Sequence, residues 1–226
     1  MGYLLLEGGA EFGGSMREPD LKAMELAGGF EAPIRIIPTA AAPDNNHRRA
    51  GDNGIRWFQS LGARDVRSLP LVDQVSAHDD GIVTSLRDAK LIYMLGGFTG
   101  YLGETLKGSA AWEAVLQAYR LGAVVAGSSA GAMVMCESYY DPGQGQVSAG
   151  LNLVENSIVL PHHNTFGQHW ASRLLEISPA MLIGIDEQTG MLTDGGQTWT
   201  VHGAGNVTLY RNRQVEIHPS GKSFSV

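Results

Sequence analysis

The chain has 226 residues, 43% of them hydrophobic and 17% charged, with a formal net charge of −7 and a pI near 5.4. This length and composition suit one large α/β domain with a buried core and exclude a disordered chain. The acidic balance supplies no basic field for nucleic acid, because His47, Arg48 and Arg49 form too small a cluster to change it; no apolar run reaches the length of a membrane span.

Along the chain, short runs of Ile, Val and Leu alternate with Gly-rich or polar turns and longer stretches of helical spacing. The first segment, MGYLLLEGGAEFGG, lacks the basic start and extended apolar core of a signal peptide. Strands are expected near residues 3–7, 34–38, 65–69, 91–95, 123–127, 157–160 and 181–185, with helices between them. AAAP after Thr39 and the turn at Asp44, Asn45 and Asn46 predict a loop at a strand's carboxyl end. The clearest helix spans 102–121, where Trp112, Val115, Leu116 and Tyr119 recur at three- and four-residue intervals and give one apolar face. After Met191 the runs TWTVHG, NVTLYR and QVEIH, separated by Gly and Asn turns, predict a small antiparallel addition at the end of the sheet.

The alternation gives the fold class as α/β: a doubly wound, mostly parallel sheet with helices on both faces. No linker of Pro, Ser or charged residues divides the chain, so residues 1–226 are expected to form a single domain. Cys136 has no second cysteine to pair with, which fits a reducing cytoplasm, and its neighbours Met133, Val134 and Met135 predict a buried thiol.

Ligands of an open parallel sheet bind outside the carboxyl ends of its strands, and three segments place polar chemistry there. The strand AVVAG runs into Ser128, Ser129, Ala130 and Gly131, which puts a G-x-S-x-G pattern in the strand, turn and helix context that a nucleophile elbow requires. Ser129 takes the nucleophile position, and the helix amino end beyond it favours a developing oxyanion. The simpler reading is a serine N-cap on a Gly-rich helix start.

In LGGFTG, Gly97 is placed to donate an oxyanion hydrogen bond beside Ala130, although adjacent glycines also serve ordinary turns. In LPHHNTFGQHW, His162 or His163 falls at the sheet's carboxyl edge, where a serine needs a base. His162, His163 and His169 could alternatively be metal ligands, but their spacing matches no zinc motif and an elbow serine already accounts for a histidine. Glu187, Asp186 and Asp141 are all candidates to orient the base, or else solvated carboxylates.

Gly-Gly after one strand, GSSAGA after the next, GLNL before a strand ending in PH, and GIDE later, in that order, resemble the serine peptidases related to aspartyl dipeptidase (peptidase E) and cyanophycinase. The resemblance runs from the first strand to Glu187. It implies a fold like that of class I glutamine amidotransferases and metal-free, cofactor-free hydrolysis of peptide bonds involving aspartate. It also implies Ser129 as nucleophile, His162 as base, Glu187 as the acid, Gly97 and Ala130 as oxyanion donors, and a homodimer.

Two departures stand out. Phe98 follows the glycines where Asn or Asp is common, and the arginine-rich stretch that follows the histidine in cyanophycinases is absent, with only Arg173 remaining. The expectation is a cytoplasmic serine peptidase acting on small peptides, aspartyl dipeptides included. The rivals are an esterase or amidase with the same residues, and a non-catalytic binding protein.

Overall fold

The computed structural model describes residues 1–211 and 214–226. The chain runs β1 (Tyr3–Glu7), α1 (Arg17–Leu26), β2 (Ile34–Ile37), α2 (His47–Ser60), β3 (Val66–Ser68), α3 (Asp80–Arg87), β4 (Leu91–Met94), α4 (Thr99–Leu106), α5 (Ala110–Arg120), β5 (Val124–Ser128) and α6 (Ala130–Met135). It continues through β6 (Ser138–Asp141), β7 (Gln146–Ala149), β8 (Ser157–Leu160), α7 (Ala171–Ile177), β9 (Met181–Ile185), β10 (Thr189–Thr193), β11 (Thr198–Gly203), β12 (Asn206–Arg211), β13 (Gln214–Pro219) and β14 (Ser223–Ser225).

Strands β3, β2, β4, β5 and β1 pair in parallel, and β10, β11 and β14 extend the β1 edge antiparallel into an eight-stranded sheet. Side chains alternate across a strand, so β1 feeds two cores. Leu4 and Leu6 pack with Leu86 of α3 and with Trp112 and Val115 of α5 on one face; Leu5 packs with Met24 of α1 and Phe58 of α2 on the other. Helices cover both faces, which is the doubly wound α/β class read from the sequence.

Three features differ from the expected layout. The strands at 157–160 and 181–185 leave the main sheet: β8 and β9 pair in parallel in a second sheet of order β13-β12-β9-β8. The C-terminal runs are accordingly divided. β11 joins the main sheet through β10, while β12 and β13 complete the second sheet, and the expected Asn turn between them lies outside the described residues. The strand that closes the β1 edge is β10, TGMLT, whose two threonines and glycine hide a fully buried strand from any apolar pattern.

The predicted helix 102–121 is two helices. Gly108 adopts φ +69, and the Ser109 hydroxyl caps α5 by accepting from the Trp112 N–H at 3.0 Å. A left-handed glycine followed by a serine cap stops one helix and starts the next while the apolar spacing continues across the break. The hairpin of β6 and β7, turning at DPGQG, and the pairing of β14 with β11 were also not contained in the strand reading.

Candidate active site

The carboxyl end of β5 turns sharply into α6 at Ser129, which adopts φ 49 and ψ −111, outside the regions an L-residue prefers. Its N–H still donates to the Glu7 carbonyl of β1 at 3.0 Å, so the ladder holds the turn from behind. The flanking glycines are required by space. A Cβ on Gly127 would lie 2.5 Å from the Gly131 carbonyl carbon, and one on Gly131 would lie 2.2 Å from the Met94 carbonyl oxygen of β4. Ser129 is left partly exposed above a buried helix start.

Two neighbouring strands of the second sheet bring the other groups. β8 and β9 run in parallel with Leu160 opposite Gly184, so His162 and Glu187 each fall just beyond their strand's carboxyl end. His162 Nε2 lies 3.1 Å from Ser129 Oγ, and its Nδ1 lies 2.8 Å from Glu187 Oε1. The imidazole is fixed on several sides. The His162 N–H donates to the Gly8 carbonyl at 2.7 Å, the ring stacks on Phe166 at 4.8 Å, and the backbone sits at φ +51. Thr165 donates to the His162 carbonyl at 3.0 Å and to Glu187 Oε1 at 3.3 Å, while Asn164 accepts the Glu187 N–H at 2.9 Å.

The remaining candidates are placed elsewhere. His163 is buried and turned away, with Nε2 at 2.8 Å from the Tyr210 hydroxyl and Nδ1 at 3.5 Å from Asp186; burial pushes its pKa down, and Asp186 partly opposes that. Asp186 accepts from the Asn206 N–H and side-chain amide at 2.9 and 3.2 Å. Asp141 is buried at the end of β6, accepting from the Gly143 N–H at 2.9 Å. His169 is exposed, and among the described residues no group of three or more His, Cys, Asp or Glu side chains is arranged to hold a metal ion. Cys136 is buried, and burial pushes its thiol up to about 11, so it is no nucleophile at neutral pH.

A model of peptidase family S51 matches residues 4–201. The chain belongs to peptidase family S51. It is therefore a serine hydrolase. A cyanophycinase of Geminocystis herdmanii is 29% identical over 231 residues, 97% of this chain and 84% of that protein. A cyanophycinase of Synechococcus elongatus is 28% identical over 233 residues, 95% of this chain and 69% of that protein. The crystal structure of a peptidase from an acI-B1 Actinobacterium superposes with a TM-score of 0.90 at 29% identity, covering 100% of this chain and 97% of that one. A Listeria monocytogenes protein carrying a provisional peptidase E name shares the fold, with a TM-score of 0.65 at 21% identity over 97% of this chain and 98% of that one.

The rest of this S51 site combines Gly97 and Ala130, both expected from the sequence, with Gly96, Gly9 and Glu11, which were not singled out. Gly96 packs against Ser129: a Cβ there would lie 3.2 Å from Ser129 Cβ. Gly97 adopts φ +138 against the Ala40 carbonyl. Among the described residues neither the Gly97 nor the Ala130 N–H donates a hydrogen bond. Gly9 forms the wall behind the imidazole, since a Cβ on it would lie 2.3 Å from His162 Cε1. The carboxylate of Glu11 accepts from the Ser128 hydroxyl at 2.8 Å. The glycines of GGAEFGG at the end of β1 were the available signal, because a Gly-rich loop at a parallel strand's carboxyl end is where backbone must approach a ligand or a catalytic group.

A second carboxylate system lies beneath the elbow. Glu7 and Asp20 are fully buried; Tyr93 donates to Glu7, and the Trp57 indole donates to Asp20 at 2.7 Å. Burial, reinforced by mutual repulsion, pushes Glu7 well above the usual carboxylate range, and burial pushes Asp20 up to about 7.

Proposed function

We propose that this S51 peptidase cleaves small peptides, aspartyl dipeptides included, through an acyl-enzyme on Ser129. The observation that carries the reading is one imidazole bridging a serine hydroxyl at 3.1 Å and a carboxylate at 2.8 Å at a strained strand-to-helix elbow.

His162 Nε2 accepts the Ser129 proton as Oγ attacks the substrate carbonyl carbon, and Glu187 holds the tautomer with the proton on Nδ1. The oxyanion forms against the Gly97 and Ala130 N–H groups, each such donor being worth about 3 kcal/mol in the transition state. The intermediate collapses by breaking the C–N bond, and the imidazolium returns its proton to the departing amine. Water then repeats the sequence: His162 takes a proton from water as the hydroxyl oxygen adds to the acyl carbon. Ser129 leaves with that proton and the product acid is released.

The short-peptide reading rests on the segment after His162. Phe166, Gly167, Gln168 and His169 replace the arginine-rich stretch, and Arg173 donates to the Gly145 carbonyl at 2.9 Å. Phe98, 52% exposed directly after the two glycines, favours a second reading in which the same machinery takes an apolar ester or amide. A cytoplasmic setting and a homodimer with neither nucleic acid nor membrane as partner complete the proposal; sedimentation as a monomer would remove the dimer.

The test is hydrolysis of a panel of aspartyl dipeptides, neutral dipeptides and aryl esters by the wild type and Ser129→Ala. The proposal expects dipeptide turnover that falls at least about 1,000-fold in the variant. Turnover of esters alone would favour the second reading, and undiminished hydrolysis by Ser129→Ala would refute the mechanism.

A further inference from the structure

Glu11 is a charged group beside the nucleophile that the proton relay does not use. One of its oxygens accepts from Ser128, the residue before the nucleophile, at 2.8 Å. The other reaches the Gly96 side of Ser129: a Cβ on Gly96 would lie 3.3 Å from Glu11 Oε1 and 3.2 Å from Ser129 Cβ. Among the described residues no Lys, Arg or His forms an ion pair with it.

The loop that presents Glu11 is held in place at a conformational cost. Ala10 and Phe12 on either side both adopt left-handed backbone, at φ 58 and φ 65. Phe12 is anchored on Tyr93 and Phe58, with ring centroids 5.5 and 6.3 Å away. Residues kept in such conformations persist only where the surroundings over-determine them, and they concentrate at ligand sites.

Glu11, Gly96, Gly97 and Phe98 line one cavity of about 600 Å³ that lies beside the reactive serine, with neither Ser129 nor His162 among its lining residues. A leaving group must depart toward the imidazole that protonates it. A cavity that borders the oxyanion side and lacks the imidazole therefore receives the acyl part of the substrate. An unneutralised carboxylate next to a developing oxyanion opposes the reaction by like-charge repulsion, so a substrate that brings a positive charge removes that penalty. The cavity's single lining cation, Arg56, is exposed and donates to Asn53 rather than to Glu11.

We propose that Glu11 is a specificity-determining residue that binds a cationic nitrogen on the acyl side of the substrate, in the first place the free α-ammonium of an amino-terminal residue. This rests on Ser129 being the reactive serine, and it makes the enzyme one that reads chain ends.

The experiment measures the rate at which a fluorophosphonate modifies Ser129 in the presence of alaninamide, leucinamide or lysinamide, each with a free amine and as its Nα-acetyl form. The expected result is protection by the free amines and none by Nα-acetyl-alaninamide or Nα-acetyl-leucinamide. Glu11→Gln should need about 10- to 100-fold more amide for equal protection, the range expected for a lost charge-assisted hydrogen bond. Protection by Nα-acetyl-lysinamide alone would assign the cation to a side chain of the substrate and support the site. Equal protection by free and acetylated amides, no protection by any of them, or protection unchanged in Glu11→Gln would overturn it. Absence of Ser129 modification in the wild type without any amide would instead sink the hydrolase reading, a result distinct from each of these.

Discussion

His162 meets Ser129 and Glu187 through different ring nitrogens, so its tautomer is set by which partner can accept a proton. The carboxylate can only accept, which places the proton on Nδ1 and leaves Nε2 to receive the serine hydroxyl proton. Glu187→Gln can offer an amide N–H to Nδ1 and stabilise the opposite tautomer. It should lower kcat by roughly 100- to 10,000-fold with a much smaller change in KM, as measured on whichever peptide the panel identifies. An equal loss confined to KM would place Glu187 in substrate binding instead. The residues reported by a motif were legible from order and context: Ser129 from its elbow, and His162 and Glu187 from the resemblance. His163 and Asp186, adjacent in sequence to His162 and Glu187, turn to Tyr210 and Asn206. Neighbouring residues past a strand end point in different directions, and periodicity alone does not say which one faces the serine. The glycines of GGAEFGG marked the loop but not Glu11 within it, because its position depends on two left-handed non-glycine residues, Ala10 and Phe12, a conformation no pattern announces.

Helix α6 begins where β5 ends and crosses close to β4, with no room for a methyl group at Gly131, whose Cβ would meet the Met94 carbonyl at 2.2 Å. Gly131→Ala must therefore push the elbow away from β4. It should cost about 1–3 kcal/mol, a fall in Tm of roughly 2–12 °C for a chain of this size, and should slow Ser129 modification as well. An unchanged Tm would mean the elbow is looser than its packing implies. Short apolar strands were readable because four or five consecutive buried residues leave a run of Val, Ile and Leu, as in β1, β5 and β8. β10 was not, since its Thr, Gly and Thr positions are buried without being apolar. The break between α4 and α5 escaped for the reason that a glycine and a serine cap interrupt the backbone without interrupting the apolar stripe. Assignment of strands to two sheets was beyond the sequence, because a parallel strand reads the same in either sheet.

Across the whole molecule, two sheets meet at their strand ends and divide the site between them, with Ser129 on one and His162 and Glu187 on the other. Hydrogen bonds from the β1 loop join them: His162 N–H to the Gly8 carbonyl and Gln188 N–H to the Gly9 carbonyl, at 2.7 and 3.0 Å. Beneath that seam the buried pair Glu7 and Asp20 makes stability depend on pH. A carboxyl whose pKa is raised on folding keeps a proton that the unfolded chain has released. Its contribution is present in full below about pH 4, the unfolded value, and is lost as pH rises through about 7, where Asp20 ionises. Between those limits a single proton changes stability by up to about 1.4 kcal/mol per pH unit. Unfolding measured from pH 4 to 8 should show the wild type losing stability relative to Asp20→Asn as pH rises; a constant difference would mean Asp20 is ionised throughout.

The most direct test of the central claim, that Ser129 is a nucleophile activated by His162, is intact-mass analysis after fluorophosphonate treatment, followed by mapping of the modified peptide. The account predicts one adduct per chain, confined to Ser129, and its loss in Ser129→Ala and His162→Ala with folding retained. An adduct on another residue, or no adduct on a folded wild-type chain, would contradict it.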